Sequence, residues 1–142
     1  DLPPGTSDIH LTLVQLIKLT GAVIVTTPQK VALSDATKGL AFFKQDGINV
    51  PLLGLVENMA YFTPAELPEN KYYLFGKDGG KQLAEKYAVP FLGEVPLIQA
   101  IREAGDEGKP IASSEGPSAD AFASIAANLA QQVAISNANQ AS

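Results

Sequence analysis

Along the chain, runs of β-branched and aliphatic residues alternate with stretches whose apolar positions recur every three or four residues, the pattern of strands separated by covering helices. Ala22-Val23-Ile24-Val25-Thr26-Thr27 has no polar alternation, which predicts a strand buried on both faces and ended by Pro28. Val50 to Asn58, with Pro51 at its entrance, predicts a second inner strand, and Phe91 to Val95 a short third one that stops at Pro96. Leu33, Ala36, Leu40 and Phe43 share one helical face, with Asp46-Gly47 as the stop signal. An earlier helix would start at the N-cap residue Asp8, turn Ile9, Leu13, Leu16 and Ile17 toward the core, and close at Gly21. Gly80 to Tyr87 and Ile98 to Ala104 predict shorter helices, and Phe122, Ile125, Ala126, Leu129 and Val133 form the stripe of a terminal one.

This order of elements predicts the α/β class: three layers, a mostly parallel sheet with helices on both faces. We expect one domain over residues 1–135 and a flexible tail over 136–142. Met59 to Asp78 breaks every period and carries Pro64, Pro68 and three tyrosines, so it predicts a long excursion of the kind that carries function or partner contacts. The opening residues read like the end of a strand, as in a fragment of something longer.

Composition narrows the chemistry. At 142 residues, 46% hydrophobic and 18% charged, the chain has the balance of a folded domain. A net charge of -5 repels phosphate backbones and argues against nucleic acid as a partner. With no cysteine and one histidine, the chain offers no thiol nucleophile, disulfide or thiolate metal site, and its metal sites would be oxygen-based. No apolar run approaches the roughly 20 residues that span a bilayer, and from Ser118 to Ser142 there is no Lys or Arg for an interfacial helix, so no membrane contact is expected and a cytoplasmic location is the default.

The candidate chemistry sits at strand ends. Asp1-Leu2-Pro3-Pro4-Gly5-Thr6 places a carboxylate and several backbone N–H groups where open α/β sheets bind ligands. Asp1 could hold a magnesium-bound water, and the Gly5 amide could approach a terminal phosphate; a proline-stiffened turn capping a helix accounts for the same residues. Asn58 ends the second strand with a carboxamide suited to the edge of an adenine ring, or simply caps a loop, while Pro96-Leu97 offers an apolar wall for a planar base. Gly76-Lys77-Asp78-Gly79-Gly80-Lys81 lacks the spacing of a Walker A loop, with Gln82 where Ser or Thr belongs, and reads as a helix-entry turn. Glu66 and Glu69 read as solvated loop carboxylates, and His10 as a first-turn helix residue.

Several blocks, in order, carry a resemblance: DLPPGTSD at Asp1, GAVIVTTPQ at Gly21, VALSDATKG at Val31, LGLVENMAYF at Leu53, FGKDGG at Phe75, PFLGEVP at Pro90 and IREAGDEGKP at Ile101. From Asp1 to about Pro110 the chain resembles the C-terminal half of Mrp (ApbC) proteins, deviant-Walker P-loop ATPases of the MinD and ParA type that act as iron-sulfur cluster carriers. The resemblance implies a P-loop NTPase fold whose first strands and phosphate loop are absent here, and ATP with Mg2+ as ligands. It implies that Asp1 supports magnesium, that Gly5 and Thr6 sense the γ-phosphate, that Asn58 contacts adenine and that Pro96 and Leu97 flank the base. It also implies ATP hydrolysis coupled to cluster assembly or transfer, iron-sulfur assembly or recipient proteins as partners, and a homodimer or other self-association.

Two departures matter. Without the upstream lysine-bearing loop the chain by itself is expected not to hydrolyse ATP. Where the family carries a Cys-x-x-Cys pair that bridges a cluster between subunits, this chain reads Thr63-Pro64-Ala65-Glu66-Leu67-Pro68-Glu69-Asn70 and supplies no thiolate. Two alternatives from other classes stay open: a noncatalytic anion- or partner-binding module, and a MinD- or ParA-like positioning ATPase.

Overall fold

The computed structural model describes residues 8–140 except positions 65 and 68. Its elements alternate as the pattern predicts: α1 (Asp8–Leu16), β1 (Ala22–Thr26), α2 (Lys30–Phe43), β2 (Leu52–Phe62), α3 (Gly79–Lys86), β3 (Phe91–Leu97), α4 (Gln99–Asp106), a 3-10 turn (Ile111–Ser113) and α5 (Pro117–Gln140). The three strands form one sheet in the order β1-β2-β3, and both pairings are parallel. Parallel neighbours need crossover connections, which α2 and α3 supply.

Two apolar layers sandwich the sheet. On one face Leu40 and Ala36 of α2 and Leu83 and Ala84 of α3 close over Leu55, with Val89 completing the cluster. On the other, Phe122, Ile125 and Leu129 of α5 cover Val56, Leu92 and Val95. A third cluster, Phe42, Phe43 and Val50, lies at the end of α2 and receives Val14 from α1. The α2 stripe is that expected from its spacing, Phe122, Ile125 and Leu129 of the expected α5 stripe face the core while Ala126 is exposed, and the three-layer α/β class holds.

Several expectations change. In α1 the core-facing side chain is His10, whose ring meets Phe42 edge to face at 6.1 Å, while Ile9, Leu16 and Ile17 are exposed. The stripe is rotated because the aromatic end of α2 accepts a flat ring at His10 and a small β-branched residue at Val14. β1 is not buried on both faces: Val25 is 63% exposed, because α2 covers the face of Ile24 and α5 reaches only the β2 and β3 part of the opposite face. β2 runs on to Phe62, past the expected exit at Asn58, and Phe62 then exchanges both backbone hydrogen bonds with Tyr72 at 2.8 Å, folding the excursion back on the strand. β3 includes Pro96 and Leu97, since the missing N–H of Pro96 falls where the ladder is already irregular, between the Asn58–Val95 and Phe62–Leu97 pairs. The helix of α5 also continues to Gln140, beyond Ile135.

Strand spacing at the centre depends on one glycine. A Cβ at Gly54 would fall 2.7 Å from Leu92 Cδ2 and 2.8 Å from its Cδ1, and Leu92 is only 1% exposed. Gly54→Ala is expected to overpack the β2–β3 seam and to destabilise the protein by about 1–3 kcal/mol, read as a lower urea midpoint with an unchanged slope.

Candidate functional site

Because all three strands are parallel, their carboxyl ends lie along one edge of the sheet, where α/β folds bind ligands. The register brings specific residues together there: Thr26 faces Glu57, Glu57 faces Glu94, and Asn58 faces Val95. Asn58 thus stands beside the Val95-Pro96-Leu97 segment, and the structure joins three of the residues singled out from the sequence. The other three, Asp1, Gly5 and Thr6, lie outside the described residues.

Asn58 is half-buried and its Oδ1 accepts the Met59 N–H at 2.9 Å. That contact engages the Oδ1 end of the carboxamide, and among the described residues its Nδ2 hydrogens have no partner. Met59 itself adopts a left-handed backbone, φ 53°, which a side chain with a Cβ resists.

Pro96 is buried, so the apolar wall is presented by Leu97 and Ile98. Together with Phe62 and Leu74 they line an open groove of about 510 Å³, with Gln99 and Arg102 of α4 at its rim. Arg102 is anchored along its own helix by Asp106 at 2.6 Å.

Below the edge lies a carboxyl that periodicity did not single out. Glu57 is 1% exposed, and its Oε2 accepts the N–H of Gly80 at the start of α3. Its Oε1 is buried with no partner among the described residues, as is Thr27 Oγ1. Burial pushes the Glu57 carboxyl above its ordinary value of 4.5, the Gly80 bond opposes this, and the charges of Glu94 and Asp78 add to the rise. The contact also settles the glycine-rich turn before α3. Asp78 enters it with a left-handed φ of 56°, and the amide that a phosphate would seek is already occupied by the protein's own carboxyl. Glu66 and Glu69 are exposed, and among the described residues no cluster of three metal-ligating side chains occurs.

The comparisons with known proteins decide the family. Residues 1–133 match the family described as "ParA: NUBPL iron-transfer P-loop NTPase". The chain belongs to this family. Within the NUBPL iron-transfer group, it is 51% identical over 137 residues to the iron-sulfur cluster carrier protein of Synechocystis, covering 95% of this chain and 38% of that protein. It is 46% identical to the iron-sulfur cluster transfer protein NUBPL of Dictyostelium discoideum, covering 96% of this chain and 42% of the relative. The iron-sulfur cluster carrier protein of Escherichia coli matches at 46% identity over 94% of this chain and 35% of its own length. The chain therefore spans well under half of these curated relatives.

Among solved structures, a nucleotide-binding protein from Archaeoglobus fulgidus in complex with ADP superposes with a TM-score of 0.65 at 39% identity, covering 76% of this chain and 43% of that one. The cell division ATPase MinD of Pyrococcus furiosus gives 0.57 at 25% identity, over 79% and 43% of the two chains. The P-loop NTPase fold and the Mrp-type carrier family are those that the ordered sequence blocks implied. Among the described residues no helix is long and apolar enough to cross a membrane.

A carboxyl whose folded value is raised binds its proton more tightly in the native state, so its contribution to stability is complete below 4.5 and is lost as pH rises through the raised value. Glu57→Gln removes that dependence. The stability of the native protein relative to this variant is expected to be level at low pH and to fall as pH climbs above 4.5, measured by denaturant unfolding at successive pH values.

Proposed function

We propose that this chain forms the base-binding side of an ATP-binding and ATP-hydrolysing protein that couples nucleotide state to the assembly or transfer of iron-sulfur clusters in the cytoplasm. The observation that carries the reading is the pairing of Asn58 with Val95 near the carboxyl edge of a parallel sheet, on the β3 segment that two residues later, at Leu97, enters the lining of an apolar groove. Asn58 Nδ2 can donate to a ring nitrogen of adenine while Oδ1, held by Met59, keeps a lone pair for the exocyclic amine. Leu97, with Ile98 and Phe62 behind it, provides the apolar surface on which a purine can lie.

The phosphates belong to residues beyond the described ones. By resemblance, Asp1 would support magnesium through a water, and Gly5 with Thr6 would approach the γ-phosphate. Magnesium, when bound, neutralises charge on the phosphate oxygens. The amide cradle and lysine that complete phosphoryl transfer would come from the part of the relatives' length that this chain does not span. The cluster is cargo in this reading. With no cysteine in the chain, its thiolate ligands would also come from outside it, and recipient proteins would be the partners.

The complete protein is expected to hydrolyse ATP. Replacing Asn58 by Ala should raise KM for ATP about tenfold with kcat little changed, the pattern of a lost hydrogen-bonding contact to the base. Asp1→Ala should instead lower kcat. Unchanged KM in the first variant would remove Asn58 from the base site, and unchanged turnover in the second would remove Asp1 from the magnesium site.

Self-association follows from β1. Its one pairing partner among the described residues is β2, and Val25 is 63% exposed beside that outer edge. Unpaired apolar strand edges recruit other chains. The 142-residue chain alone should form dimers or larger species in solution scattering, and a monodisperse monomer would contradict this.

A further inference from the structure

Where the regular pairing of β2 stops, midway along the strand, two adjacent side chains have opposite duties. Glu57 and Asn58 are adjacent, so strand alternation sends them to opposite faces. Glu57 is turned toward α3, where its carboxyl accepts the Gly80 N–H; Asn58 is left to the opposite side at the ligand edge. Beyond Asn58 the ladder loses its regularity: the register shifts between Asn58 and Phe62, and Met59 takes its left-handed backbone. Asn58 is therefore the last residue before the break, and regular pairing fixes it from one side alone.

Burying a carboxyl at this point costs desolvation that an aliphatic side chain would avoid, and the next position inward on the same face, Leu55, shows that the layer accepts leucine. What the carboxyl supplies is a directed bond to the first turn of α3. We propose that Glu57 is a positioning residue for the nucleotide base: seated on the Gly80 amide, it clamps the last regularly paired part of β2 to α3 and so holds the backbone that carries the Asn58 carboxamide in the place that receives the purine. This rests on the base-binding role proposed for Asn58. The bond needs a hydrogen-bond acceptor of this length, not a negative charge, so glutamine can replace glutamate and alanine cannot.

The test uses the complete protein and the fluorescent probe methylanthraniloyl-ATP, with dissociation constants measured for native protein, Glu57→Ala, Glu57→Gln, Asn58→Ala and the Glu57→Ala/Asn58→Ala double variant. Glu57→Ala is expected to weaken binding roughly tenfold, Glu57→Gln by less than about twofold, and the double variant to bind no more weakly than Asn58→Ala alone. Additive losses in the double variant, or native affinity in Glu57→Ala, overturn the inference while leaving the nucleotide reading intact. A native protein that does not bind the probe overturns the nucleotide reading and the inference with it. Native affinity in Asn58→Ala overturns the base role of Asn58 and, with it, the role of Glu57.

If circular dichroism shows that Glu57→Ala is unfolded, Gly80→Ala replaces it in the same cycle. The added Cβ would lie 2.8 Å from Glu57 Oε2 and 3.1 Å from Leu55 Cδ2, displacing the carboxyl without removing it. The same loss of affinity, absent when Asn58 is already Ala, supports the proposal; an unchanged dissociation constant overturns it.

Discussion

Parallel pairing is the constraint from which the remaining features descend. Once β1, β2 and β3 run in one direction, the chain must return across a face of the sheet after each strand, and α2 and α3 do so on the same side. The long α5 then covers the opposite face over β2 and β3. All three strands consequently point toward one edge, which is why Asn58 from the middle of the chain stands across from Val95, two residues before Leu97. The close β2–β3 approach that sets their separation depends on a bare backbone at Gly54 under Leu92.

The same edge is where the protein departs from regular structure. A left-handed Met59, a shifted register and a proline within a strand would each weaken an inner strand, and here they occur side by side. Directed polar contacts take over from the ladder: Asn58 Oδ1 holds the Met59 amide, and Glu57 holds α3.

Much of the fold could be read from spacing because Leu33, Ala36 and Leu40, or Phe122, Ile125 and Leu129, can point inward together only in a helix. The failures share a physical origin. Val25 is as apolar as Val23, but burial depends on what lies opposite, and nothing among the described residues covers it. In α1 the periodicity of Ile9, Leu13 and Leu16 is real, yet ring packing between His10 and Phe42 chose the neighbouring face. The continuation of β2 past Asn58 is hidden in sequence because a left-handed methionine leaves no compositional trace. Asn58, Pro96 and Leu97 were legible through the ordered family blocks, although Leu97 and not Pro96 faces the groove. Glu57 escaped notice because a lone carboxyl at a strand end reads as solvated; the available signal was its position between an unbroken apolar run and a glycine-rich helix start.

In the proposed site the β2 and β3 exits enclose a single purine. Photolabelling the complete protein with 8-azido-ATP, followed by peptide mapping, tests this arrangement, since the reactive group sits on the base itself. ATP-protectable label is expected in the peptides that contain Asn58 to Phe62 and Pro96 to Arg102. Protectable label confined to other peptides would contradict it.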